Sequence, residues 1–287
     1  LQPVRQQNIG IIFDAGLDID LRLKHLQVVD SCRASLGLKI GHIISTDLPL
    51  DIQLKRSDSG VSWGSLQEPE SLLRAGDKLK HLGATAIAVV TRFPDSNDTQ
   101  VLEKYREGEG VDLLAGAEAV ISHLLVRTLQ LPCAHSPGLT SLPTKSNLDP
   151  RAAAEEIGST FLPCALVGLS RAPNLMADLG QPFTQTTNEC QSKLDVGQLG
   201  AIIAPATALG GEAVLSCLER KIPLITVANN SQINVTKDDL RLSSSSLEIY
   251  EASNYLEAAA FIMMLREGIS TDSCTRPFPS ISFQGEM

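Results

Sequence analysis

Apolar residues in this chain follow two alternating patterns. Short continuous runs are separated by stretches in which apolar positions recur three or four apart. The runs at Asn8–Phe13, Lys39–Ser45, Ala84–Val90, Pro132–Ser136, Phe161–Leu169, Ala201–Ala204, Ile222–Val227 and Leu247–Tyr250 predict strands. Ala84–Val90 is apolar almost throughout, as a parallel strand buried on both faces requires. Between the runs, Leu26, Val29, Cys32 and Leu36 form one face of a helix that Asp18 or Asp20 caps and Gly37 stops. Pro69 opens a second helix and Gly83 ends it. The most regular helix spans Val111–Leu129, a short one spans Arg151–Ile157, and Asn254–Arg266 reads as a buried helix.

Gly200–Asn230 is the most complete unit. It reads as a strand, a glycine-bearing turn over Thr207–Gly211, a helix and a second strand, with the length a parallel crossover needs. Repeated strand–helix alternation predicts an α/β fold, a doubly wound, mostly parallel sheet with helices on both faces. Asp51–Leu66 departs from that pattern and reads as a hairpin insertion around Ser57–Gly60, either edge structure or a flap. Residues 1–270 form one Rossmann-like domain on this reading, or two similar halves meeting near 140–150, followed by an irregular tail over 271–287. The string Leu-Pro-Cys-Ala at 131–134 and again at 162–165 is a weak sign of such halves.

Composition narrows the partners. The formal charge of −9 and the absence of a local Lys/Arg cluster exclude a nucleic-acid backbone as the expected ligand. No apolar run approaches the roughly 20 residues of a membrane helix. The six cysteines are scattered without a C-x-x-C pair and read as reduced, mostly buried thiols. The histidines lack metal-ligand spacing, so no metal and no particular cofactor is indicated. The chain begins at Leu1, which leaves an upstream segment such as a transit peptide open.

In an open α/β sheet, ligands bind beyond the carboxyl ends of the strands. That rule selects Asp14 and His135 as candidate general acid or base. It selects Arg92 and Arg171, each shortly before a proline, as clamps for an anion. The Thr207–Gly211 turn, with Gly210 and Gly211 at a helix start, could offer backbone N–H groups to an anion, although Glu212 follows directly. Asn229 stands at the exit of the next strand, and Asp47, Asp95 and Ser136 share the same predicted edge. The expected ligand is a small anionic molecule.

Several strings are specific enough to carry a resemblance: GVDLLAGAEAVISHLLVR (110–127), LPCAHSPGL (131–139), PRAAAEEIG (150–158), FLPCALVGLSRAPN (161–174) and APATALGGEAV (204–214). With them the chain resembles a cyanobacterial and plastid family of uncharacterised proteins. The resemblance implies a chloroplast stroma or, in a bacterium, the cytoplasm. Members of that family carry an additional glycine-rich N-terminal segment that is not found in this sequence, and the resemblance implies no particular activity. Three readings follow: an enzyme acting on a small anionic metabolite, a non-catalytic protein binding a small ligand or pigment, or a scaffold in a homo-oligomer or plastid protein complex.

Overall fold

The computed structural model describes residues 1–58, 61–94, 99–140, 142, 144–156, 160–176, 193–228, 233–242, 247–274, 276–278 and 280–281. The chain divides into two compact units, Leu1–Leu194 and Asp195–Met287.

The first unit runs β1 (Ile9–Phe13), α1 (Ile19–Leu36), β2 (Ile40–Ser45), β3 (Gln53–Arg56), β4 (Ser62–Ser65), α2 (Pro69–His81), β5 (Ala86–Arg92), α3 (Thr99–Arg106), α4 (Ala115–Leu129), β6 (Cys133–Gly138), α5 (Pro150–Glu155) and α6 (Leu162–Ser170). Four of its strands form a parallel sheet in the order β2-β1-β5-β6. Side chains alternate across that sheet. Ile9, Ile11, Phe13, Ala86, Ala88 and Val90 meet α1 and α6 on one face, while Ile12, Ile87 and Val89 meet α2 and α4 on the other. The expected doubly wound α/β arrangement is therefore present in this unit. The helix caps also fall where the sequence puts them. Asp18 accepts from Leu21 N, and Gly37 takes the left-handed conformation (φ 64°) that lets α1 stop.

From β1 the chain crosses to β2 on one side, and it then returns past β1 to β5 on the other. The strand order therefore reverses between the carboxyl ends of β1 and β5. Asp14 occupies that point and is 1% exposed. Its Oδ1 accepts from Gly16 N at 2.9 Å and Leu50 N at 3.1 Å, and its Oδ2 accepts from Arg92 N at 3.0 Å. One carboxylate thus joins the exit of β1, the segment after β2 and the last residue of β5.

One element departs from the sequence reading. Residues 161–169, expected as a strand, form α6. The stretch is apolar on every side, so its period gives no direction, but Leu162, Leu166 and Leu169 lie on one helical face and pack onto the sheet. Pro163 in the first turn suits a helix start. The two Leu-Pro-Cys-Ala strings consequently enter a strand in one place and a helix in the other. The hairpin is observed: β3 and β4 pair antiparallel, with Lys55 Nζ 4.6 Å from the centre of the Trp63 ring. Its expected turn residues Ser59 and Gly60 lie outside the described residues.

The second unit contains β7 (Ile202–Pro205), α7 (Glu212–Glu219), β8 (Leu224–Val227), β9 (Ile249–Ala252) and α8 (Tyr255–Glu267), with parallel strands in the order β7-β8-β9. Gly200–Asn230 supplies the expected strand–helix–strand unit. The helix expected to be buried is α8, on which only Ala258 is buried, and Leu256 is 84% exposed.

Because the Asp14 carboxylate satisfies three backbone donors at once, Asp14→Ala leaves them without their acceptor. Each buried donor so stranded costs about 1–3 kcal/mol. Chemical denaturation should show a loss of at least about 3 kcal/mol for Asp14→Ala and a smaller loss for Asp14→Asn, which keeps one acceptor oxygen. Equal stability of all three proteins would remove Asp14 from this role.

Candidate functional site

Past the carboxyl end of β6 the chain continues through Leu139, Thr140 and Leu142, which wall two cavities of the first unit. The larger, about 210 Å³, is lined by His25 from α1, Arg106 from α3, Thr140, Thr144, Lys145 and Thr160, and by Glu156 next to α5, among apolar neighbours. The smaller, about 140 Å³, is mostly apolar and carries Tyr105 and Asp112 in its wall.

Local hydrogen bonds hold these groups in place. Arg106 ends α3, is 3% exposed, and grips Glu156 with Nε at 2.9 Å and Nη2 at 3.1 Å. A buried, two-pronged pair of this kind fixes the guanidinium plane. Asp149 caps α5 and donates its backbone N–H to Arg106 O at 2.8 Å, and the Tyr105 hydroxyl donates to Glu155 Oε2 at 2.6 Å. So α3 and α5 are fastened side by side above the strand ends. Lys145 is held by Glu107 at 3.2 Å.

Two polar groups in the larger cavity's wall are almost wholly buried, and their polar atoms have no hydrogen-bond partner among the described residues. These are His25 Nε2 and Thr160 Oγ1, in residues 1% and 3% exposed. The other ring nitrogen of His25, Nδ1, lies 2.7 Å from Leu21 O, one turn back along α1. Burial holds the imidazole below its ordinary range, and Lys24 adds to that effect.

A second array of polar groups lies on α4 and β6. His135 Nδ1 is 2.6 Å from Ser122 Oγ, and its Nε2 is 3.4 Å from Glu118 Oε2. Burial raises the Glu118 carboxyl to about 8, and the charges of Asp112 and Glu155 push the same way. Burial, reinforced by His123, lowers His135. Both groups are thus driven toward their neutral forms, which disfavours an ion pair between them.

The residues expected from the sequence are dispersed. Asp14 and Arg92 meet at the switch in strand order through the backbone N–H of Arg92. Burial lifts the Asp14 carboxyl above its ordinary range, while the bonds from Gly16, Leu50 and Arg92 draw it down. The Arg92 guanidinium donates to Phe93 O. His135 lies within β6 and joins the Glu118 array, neither of whose cavity-side neighbours, Tyr105 and Asp112, belongs to it directly. Arg171 follows α6 rather than a strand. The preceding residue, Ser170, accepts from Gln7 N just before β1, so Arg171 is an exposed residue at the amino end of the sheet, away from Arg92. Asp47 is bonded by Ser71 and Arg74.

In the second unit, the turn from Thr207 through Gly210 packs against Val235. Leu209 N donates to Val235 O, Thr207 O accepts from Val235 N, and a Cβ on Gly210 would come within 3.1 Å of Val235 Cγ1. Gly211 is the N-cap of α7. Asn229 and Asp95 lie outside the described residues, as does Cys190. Sequence reading passed over His25, Arg106, Lys145, Thr160, Glu118 and Ser122. For Glu118 and Ser122 there is a signal, since they stand four apart on the most regular helix and so share a face. For Arg106 the signal is its place in a long connection between elements.

Among the described residues, no group of three or more His, Cys, Asp or Glu side chains is placed to hold a metal ion, and no helix is long and apolar enough to cross a membrane. Cys133 is free, with burial pushing its thiol up to about 12, which makes it inert as a nucleophile.

The first unit is thus a doubly wound α/β fold with two cavities past the carboxyl end of β6. The chain belongs to the family described as protein of unknown function DUF3326, whose model matches residues 1–275. It is 42% identical over 269 residues to an uncharacterized lipoprotein of a Synechococcus species, covering 94% of this chain and 72% of that protein. No solved structure matches it. The cyanobacterial family indicated by the sequence strings is thereby shown.

The Glu118 array gives stability a pH dependence of known sign. In the folded chain this carboxyl is raised from 4.5 to about 8, so its contribution is complete below the lower value and is lost as pH rises through the upper one. His135, lowered, acts in the opposite sense, losing its contribution as pH falls. The stability of the wild type relative to Glu118→Gln should therefore decline as pH rises across that window, by up to about 1.4 kcal/mol per pH unit. Parallel stability–pH curves for the two proteins would contradict this assignment.

Proposed function

We propose that the protein takes a small anionic metabolite into the larger cavity beyond β6 and acts on it as an enzyme. One observation carries the reading: a cavity at the carboxyl edge, where open sheets bind ligands, gathers two cations, three threonine hydroxyls and a histidine. Arg106, fixed by Glu156, supplies a rigid cationic plane, and Lys145, paired with Glu107, supplies a compact point charge. Thr140, Thr144 and Thr160 provide neutral donors, and His25 is the one group in the wall whose proton can move near neutrality. A binding protein that lacks chemistry would use the same cavity and differ only in leaving the ligand unchanged.

The relative from Synechococcus is called a lipoprotein. That name supports a lipid-anchored setting for this chain, in a cyanobacterial or plastid compartment, over a freely diffusing one.

Thermal unfolding against a panel of small phosphates and carboxylates tests the reading. A member of the panel at about a hundred times its Kd should stabilise the protein by about 2.7 kcal/mol. Lys145→Ala should abolish that gain while leaving the unliganded protein within about 1 kcal/mol of the wild type, since the pair it breaks with Glu107 is partly exposed. Stabilisation that survives Lys145→Ala would place the ligand elsewhere.

A further inference from the structure

The protonation of His25 follows from its surroundings. A carbonyl oxygen only accepts, so Nδ1 must carry the hydrogen that bonds Leu21 O. The neutral ring then presents a bare lone pair at Nε2, the atom left without a partner among the described residues. A lone pair repels an oxyanion, whereas an N–H attracts one. We propose, resting on the reading of the larger cavity as an anion site, that the cavity binds oxyanions only together with a proton, which is taken up at His25 Nε2 and shared with the bound oxygen.

The groups around the ring agree with this. From its own helix Lys24 opposes a second positive charge, and the edge of the Phe13 ring stands 6.3 Å away between centres. The same cavity is lined by Arg106, Lys145 and Glu156, the last committed to Arg106. Glu107 stands behind Lys145 as its partner. The empty cavity therefore keeps His25 neutral, as its burial does. An anion placed among these cations reverses the balance, because it is the only added negative charge and offers the acceptor that Nε2–H needs. Thr160 Oγ1, buried in the same wall and likewise without a partner among the described residues, supplies the companion donor. The ligand class is accordingly a metabolite with a fully ionised oxyanion head, such as a phosphate or sulfate ester.

Sulfate is the probe of choice because it brings no proton of its own near neutrality. Calorimetric titration of the whole chain with sulfate, in two buffers of different ionisation enthalpy, should show about one proton taken up per anion bound, and affinity should fall about tenfold per pH unit between about pH 7 and about pH 8. His25→Gln carries a permanent amide N–H and should bind sulfate with a flat pH profile. His25→Phe should lose at least about tenfold in affinity, the equivalent of one charge-assisted hydrogen bond. If sulfate binds the wild type with no proton uptake, and Lys145→Ala still abolishes binding, the cavity reading stands and proton coupling is overturned. If sulfate binds at no pH at which the protein stays folded, both fall together.

Discussion

The first unit depends on the carboxylate of Asp14. A doubly wound sheet must reverse its strand order somewhere, and at that place the exits of two neighbouring strands diverge with backbone donors left over. Asp14 gathers three of them, from Gly16, Leu50 and Arg92, inside the protein. The strand exits are thereby held at fixed separation, and the connections beyond β5 and β6 can close over the edge without themselves building the frame. Asp14 sits at the place where ligands bind in such folds, but its oxygens are occupied by backbone.

The proposed ligand site lies one strand outward, at the end of β6. There α3 and α5 are clasped by Arg106 with Glu156 and by Tyr105 with Glu155, and α1 contributes His25. Burying a cation, a histidine and hydroxyls together has a cost unless each finds a partner. Arg106 has one. His25 Nε2 and Thr160 Oγ1 have none among the described residues, which supports the proposed anion site. The Glu118–His135–Ser122 array follows the other course: its members satisfy one another and stay near neutrality, as buried acids do when no cation is supplied.

The sequence made the frame legible wherever period and punctuation agreed. β1, β5 and the cap residues Asp18, Gly37, Asp149 and Asn254 stand where apolar runs and helix signals place them. α6 was illegible by period because Phe161–Leu169 is apolar on all sides, although only one face packs on the sheet and Cys164 and Val167 are exposed. That single element moved Arg171 from a supposed strand exit to the amino end of the sheet. The α8 expectation failed in the opposite way, since apolar residues such as Leu256 and Met263 are exposed. Of the candidate site, Asp14, Arg92 and His135 were visible as strand-associated polar residues, but their partners were not. His25 reads as one more position on the α1 face, and Arg106 and Thr160 come from connections whose meeting point is set by tertiary packing.

The most direct measurement of where a ligand sits is an anomalous difference map from a crystal of the protein soaked in selenate, a heavier analogue of sulfate. A selenium peak is expected in the cavity beyond β6, with a selenate oxygen in hydrogen-bond reach of Thr160 Oγ1 and the anion close to Lys145 and His25. A peak at the Thr207–Gly211 turn of the second unit or beside the exposed Arg171, with the cavity empty, would contradict it.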